Sequence, residues 1–98
     1  MNTNYATYPS LRDRVVLITG GAAGIGAAMV KAFHAQGAKV AFLDIDEQTA
    51  LILKERLSKS EWQEPYFLKC DVRNIEILQN CISNISKQVG KIHTLINN

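Results

Sequence analysis

Four glycines stand behind a threonine in the run Thr19-Gly20-Gly21-Ala22-Ala23-Gly24-Ile25-Gly26, three of them in the spacing GxxxGxG. The residues before it, Val15 to Thr19, are β-branched and apolar, and the residues after it, from Ile25 on, are rich in alanine. A strand is thus expected to feed a helix through a turn almost bare of side chains. The first N–H groups of a helix lack intrahelical partners and carry the positive end of its dipole. They attract a phosphate, provided that no Cβ stands in the way. Gly20 permits the sharp turn, Gly24 the close approach of a diphosphate, and Gly26 the close packing of helix on strand. Asp44 follows twenty residues after Gly24, at the end of the next apolar run. A carboxylate there can accept hydrogen bonds from both hydroxyls of an adenosine ribose, and its charge repels a 2′-phosphate. No Arg or Lys lies between Gly20 and Gly26 or immediately after Asp44. The expected cofactor is NAD, with NADP disfavoured. The competing readings are structural: a bare turn for the glycines, although such a turn needs fewer of them, and a helix cap for Asp44, although Asp46 is better placed to be that cap.

The elements that must hold these residues follow from periodicity. Val15–Thr19, Lys39–Asp44, Tyr66–Cys70 and Lys91–Ile96 carry consecutive rather than alternating apolar residues, the pattern of strands buried on both faces. Between them lie three helical stretches. The first runs from Ile25 to Gln36, with Ile25, Met29 and Phe33 on one face and Gly37 as its stop. The second is capped by Asp46 and runs to about Ser58, with Ala50, Leu53 and Leu57 aligned. The third is capped by Asn74, aligns Ile75, Leu78, Ile82, Ile85 and Val89, and ends at Gly90. The polar stretch up to Pro65 reads as a loop, with Trp62 packed beneath it. This alternation predicts an α/β fold: a doubly wound parallel sheet of Rossmann type in the order 3-2-1-4. Two helices would cover one face and the third helix the other. Residues 1–10 are expected to be an irregular arm, and residues 11–98 the N-terminal part of a dinucleotide-binding domain.

With its leading Thr19, the spacing TGxxxGxG resembles the short-chain dehydrogenase/reductase family. Asp71-Val72 after the third strand, and Leu95-Ile96-Asn97-Asn98 like the start of an NNAG motif after the fourth, match the same family. The segment YPSLRDRVVLITGG resembles the opening of some bacterial sugar and polyol dehydrogenases of that family. The resemblance implies an NAD-dependent oxidoreductase that transfers a hydride between nicotinamide and an alcohol or carbonyl substrate. It implies that Asp71 binds the adenine amino group, that Val72 lies against the ring, that Asn97 orders the middle of the sheet and that Asn98 lies near the cofactor. The expected cofactor-binding set is Gly20, Gly24, Ile25, Gly26, Asp44, Asp71, Val72 and Asn98. The family's chemistry also needs a Ser and a Tyr-x-x-x-Lys pair. Tyr5, Tyr8 and Tyr66 are followed four places on by Pro9, Arg12 and Cys70, so no catalytic residue is expected within these 98 residues. They are expected to be inactive by themselves, as part of a parent enzyme that is a homo-oligomer. The alternatives are a non-catalytic nucleotide-binding fragment and an interaction module. Two positions depart from the family: Ala23, where many members carry Ser or Arg, and His93, where Asp is frequent.

Composition narrows the rest. With 47% hydrophobic and 20% charged residues, the chain has a globular balance. Its net charge of +2 is too small and scattered to attract nucleic acid or a membrane surface. Apolar runs of about five residues are too short to cross a bilayer. The first ten residues lack the charge and hydrophobicity of a secretory signal. Cys70 and Cys81, eleven residues apart without a CxxC, suit neither a disulfide scaffold nor a metal site, so a cytoplasmic setting is expected. His34 is expected on an exposed helix surface and His93 in a packing role. A sheet that stops after its fourth strand leaves an open apolar edge, and a marginally stable monomer is expected.

Overall fold

The computed structural model describes residues 9–98. Most of the expected N-terminal arm therefore lies outside the described residues, and Pro9–Leu11 form a single 3-10 turn. The elements then alternate: β1 (Val15–Thr19), α1 (Gly24–Ala35), β2 (Lys39–Asp44), α2 (Glu47–Leu57), β3 (Tyr66–Lys69), α3 (Ile75–Gln88) and β4 (Thr94–Asn97). The strands form one parallel sheet in the order β3-β2-β1-β4. This is the Rossmann arrangement that the alternation predicts.

The consecutive apolar residues of the two inner strands explain the layering. Val16, Ile18, Val40 and Phe42 point to the face covered by α1 and α2, where they meet Val30, Ala50 and Leu53. Val15, Leu17, Ala41 and Leu43 point to the other face, where they meet Cys81 and Ile85 of α3 and Cys70 after β3. Phe42 and Phe67 stack at a tilt with ring centroids 5.1 Å apart and tie β2 to β3. Both cysteines are free and buried. Burial, followed by the neighbouring Cys81 and the Asp71 charge, pushes the Cys70 thiol up to about 11, so it serves as a packing residue.

The helix starts agree with their caps. Asp46 accepts from the Thr49 N–H at 3.1 Å, and Asn74 from the Ile77 N–H at 3.1 Å. Gly37 follows the last turn of α1, its N–H donating to the His34 carbonyl at 3.0 Å. The Trp62 ring packs on Gly37, and the Arg12 guanidinium lies 5.4 Å from that ring's centroid.

Four details correct the sequence reading. Ile25 is 69% exposed, so the core face of α1 runs through Gly26 and Val30 to His34, with Met29 and Phe33 only partly buried. Ile75 is likewise exposed, and α3 buries Cys81 and Ile85. His34 is not on the surface: the loop before β3 folds over it, and its Nε2–H donates to the Gln63 carbonyl at 3.1 Å. β4 starts at Thr94 rather than Lys91 because a side chain replaces strand pairing there. The Val15 N–H donates to Nδ1 of His93 at 3.1 Å, while the His93 N–H donates to the Val15 carbonyl at 2.9 Å.

Burial lowers the pKa of the His34 imidazole, an effect partly offset by its bond to Gln63. Below about pH 6.5 the unfolded chain therefore takes up a proton that the folded chain resists, so this contribution to stability is complete above that pH and declines as pH falls through it. Thermal melts followed by far-UV circular dichroism should show the midpoint falling between about pH 7 and pH 5. In His34→Gln, which keeps a donor for Gln63, that part of the slope should vanish.

Candidate functional site

The C-terminal ends of the parallel strands meet at the glycine turn. Gly20 and Gly24 both take left-handed backbone angles, φ +66° and +61°, which residues with a Cβ adopt at a cost. Gly26 is constrained by space: an added Cβ would land on the Gly20 carbonyl and lie 2.8 Å from Nδ2 of Asn98. At Gly24 an added Cβ would have no protein atom within 4 Å. Packing therefore does not demand glycine at 24, and the open space beside it is a cradle that a side chain would fill.

The head of α1 differs from those of the other two helices. Its N-cap, Ala23, offers no side-chain hydrogen bond, and its first turn has no acidic residue. The N–H groups of Gly24, Ile25 and Gly26 have no acceptor among the described residues. Three unpaired donors, a helix dipole and a missing Cβ suit an oxyanion such as a diphosphate. The exposed Ile25 side chain leaves this residue only its N–H to offer.

Polar side chains lock the turn to the sheet. Thr19 is buried, and its Oγ1 donates to Oδ1 of Asn97 at 2.9 Å and accepts from the Asn98 N–H at 3.0 Å. Nδ2 of Asn98 donates to the Gly20 carbonyl at 3.1 Å. Oδ2 of Asp44 accepts from the Ala22 N–H at 3.0 Å, and its Oδ1 from the Asp46 N–H at 2.9 Å. Asp44 thus braces the glycine turn as well as ending β2. A carboxylate has about four acceptor positions, so roughly two remain for other donors.

A cleft of about 320 Å³ opens at these strand ends. It is lined by Gly20, Asp44, Asp71, Val72 and Asn98 of the expected set. Gly24, Ile25 and Gly26 are not part of that lining; they lie at the head of α1, beyond the turn. The cleft also contains Ile45 and Arg73, which the sequence reading had not singled out. Ile45 is 59% exposed and Val72 is 38% exposed, two apolar side chains left uncovered in one cleft. Arg73 forks onto Asp71, with its Nε 3.0 Å from Oδ1 and its Nη2 2.9 Å from Oδ2. These side-chain bonds, with that of the Arg73 N–H, hold the Asp71 carboxyl down at about 2, so it is ionised at neutral pH. A slightly larger hollow of about 360 Å³ at the other end of the sheet, among Lys54, Glu64 and Gln88, holds no comparable convergence of groups. Among the described residues, no cluster of His, Cys, Asp and Glu could hold a metal ion, and no helix is long and apolar enough to cross a membrane.

Known proteins share this arrangement. The pattern of the family described as short chain dehydrogenase matches residues 14–98, and the chain belongs to that family. Over 91 residues it is 44% identical to the probable galactose dehydrogenase GalD of Rhizobium meliloti (strain 1021), covering 93% of this chain and 36% of that protein. Over 93 residues it is 39% identical to D-xylose 1-dehydrogenase of Caulobacter vibrioides, covering 95% and 36%. The ligand-free aldohexose dehydrogenase of Thermoplasma acidophilum superposes with a TM-score of 0.73 at 32% identity, over 93% of this chain and 31% of that one. The chain spans about a third of the length of these relatives. These residues thus correspond to one part of the fold of that family, and nicotinamide dinucleotides are the cofactors of the family's dehydrogenases.

The two helix-head glycines should separate experimentally. Gly24→Ala should cost about 1–2 kcal/mol in backbone strain and little else in stability, yet weaken dinucleotide binding far more than that strain accounts for. Gly26→Ala should lower stability and binding together, because its Cβ cannot fit. Thermal melts paired with calorimetric titration of NAD would check both; equal behaviour of the two variants would contradict this division.

Proposed function

We propose that residues 11–98 form the N-terminal part of the NAD-binding domain of a short-chain dehydrogenase that oxidises a hydroxyl group of an aldose. The N–H groups at the head of α1 bind the diphosphate, with Gly20 making the turn and Gly24 leaving it room. Asp44 accepts the adenosine ribose hydroxyls through its remaining acceptor positions. Asp71 takes the adenine amino group, Val72 and Ile45 flank the ring, and Asn98 lies toward the nicotinamide side. Bound NAD supplies the acceptor for the substrate's hydride. The hydroxyl proton is handled by the family's Ser, Tyr and Lys, which have no counterpart in residues 1–98.

The observation that carries the choice of NAD is the fixed carboxylate of Asp44. Both of its oxygens are held by backbone N–H groups, so it cannot swing aside to admit a 2′-phosphate. The aldose reading rests on the names of the relatives: galactose, D-xylose and aldohexose dehydrogenases. Two free, buried thiols support a reducing, cytoplasmic setting. β4 is an edge strand of the sheet and carries the exposed Leu95, which supports assembly into a homo-oligomer.

The test is calorimetric titration of NAD and NADP into the protein and into Asp44→Ala. Each charge-assisted bond to a ribose hydroxyl contributes about 1.5–3 kcal/mol, so losing two should lower NAD affinity by about a hundredfold or more. NADP affinity should fall far less or rise. Loosening of the turn through the lost Ala22 bond would affect both dinucleotides alike, since both carry the diphosphate, so the ratio isolates the ribose contact. An unchanged NAD to NADP ratio would refute this role for Asp44. Reduction of NAD in the presence of D-galactose, D-xylose or D-glucose by the parent enzyme that carries the Ser, Tyr and Lys would test the substrate class.

A further inference from the structure

The geometry at the end of β3 points to Arg73 as a positioning residue: we infer that its guanidinium fixes the Asp71 carboxylate so that one acceptor position on Oδ2 is kept for the amino group of the adenine base. This inference rests on the proposed cofactor reading and adds to it the residue that makes base recognition selective.

The acceptor count carries the argument. Oδ1 of Asp71 receives two donors, the Arg73 N–H and the Arg73 Nε–H, both at 3.0 Å. Oδ2 receives one, the Arg73 Nη2–H at 2.9 Å. Each carboxylate oxygen has about two acceptor positions, so Oδ1 is filled and Oδ2 keeps one. The two side-chain bonds fork the guanidinium across both oxygens, which opposes rotation of the carboxylate. The Asn74 N–H donates to the Asp71 carbonyl at 3.0 Å and closes the turn from the backbone side. Arg73 itself is largely in solvent, its side chain 84% exposed. An ion pair so exposed adds little to folding stability, so its geometric effect outweighs its energetic one. Asp71 and Arg73 line the same cleft as Asp44, Ile45 and Val72. A donor-bearing purine seated between the two apolar side chains would meet a single free acceptor. Adenine has such a donor on its exocyclic nitrogen; hypoxanthine has a carbonyl there, which the carboxylate would repel.

The experiment compares NAD with nicotinamide hypoxanthine dinucleotide by calorimetric titration of the protein, Arg73→Ala, Arg73→Lys and Asp71→Ala, with thermal melts of each. The unaltered protein should bind NAD at least about tenfold more tightly than the hypoxanthine form, the worth of one hydrogen bond to a charged group. Arg73→Ala should lose most of that preference through weaker NAD binding, with hypoxanthine dinucleotide affinity changed less than about twofold and the melting temperature nearly unchanged. Arg73→Lys, which keeps the charge but not the fork, should not restore it. Equal loss on both dinucleotides, or a preference that survives in Arg73→Ala while Asp71→Ala abolishes it, would overturn the role of Arg73 and leave the cofactor reading intact. Loss confined to NADP in a parallel titration would reassign Arg73 to the 2′-phosphate and likewise overturn the inference. An unaltered protein that binds neither dinucleotide, or binds both equally, would overturn the adenine reading itself.

Discussion

Of the six glycines, Gly26 leaves the least room for a side chain: it stands against the Gly20 carbonyl, where no atom can be added. This contact sets α1 directly on the end of β1. The three unpaired N–H groups at the helix head then sit at the strand ends rather than over the middle of the sheet. A larger residue at 26 would lift the helix away and take the anion-binding end with it. The hydrophobic layers on both faces supply cohesion, but this backbone contact decides where the cohesion places the site.

The polar groups around the turn work in two registers at once. Thr19, Asn97 and Asn98 spend hydrogen bonds on one another and on Gly20, which joins β1 to β4 at the level where a cofactor would lie. Asp44 joins β2 to the same turn through Ala22. The outcome is a rigid rim made of three strand ends and one loop. The contrast among the helices is instructive. α2 and α3 begin with side-chain caps that satisfy their donors, Asp46 and Asn74, whereas α1 begins on an alanine and keeps its donors free. A cap at position 23 would stabilise the helix locally by about 1 kcal/mol and compete with a bound phosphate for the same N–H groups.

Much of this was legible in the residue order. Strands buried on both faces leave continuous apolar runs, glycine spacing marks the turn, and Asp46 and Asn74 announce their helices through local chemistry. What the order concealed was non-local. His34 looks polar on a helix surface until the loop carrying Gln63 closes over it. Ile25 looks like a core residue because the 3.6-residue period does not reveal that the first turn of α1 projects beyond the sheet. Arg73 escaped notice because its relevance depends on β3 lying beside β2, which brings the residues after both strands into one cleft. His93 hid the true start of β4, since a ring nitrogen standing in for a main-chain acceptor leaves no periodic trace.

That ring has a mechanical effect on β4. The strand has only four residues and Leu95 lies in solvent, so packing alone leaves its alignment with β1 weakly determined. Side chains pin it at either end: His93 clasps Val15 at the head, and Asn97 and Asn98 latch onto Thr19 and Gly20 at the tail. A slip by a single residue would undo both fastenings together. The outermost strand is thereby gauged against the phosphate turn itself, and misalignment at the sheet's margin is penalised at its centre.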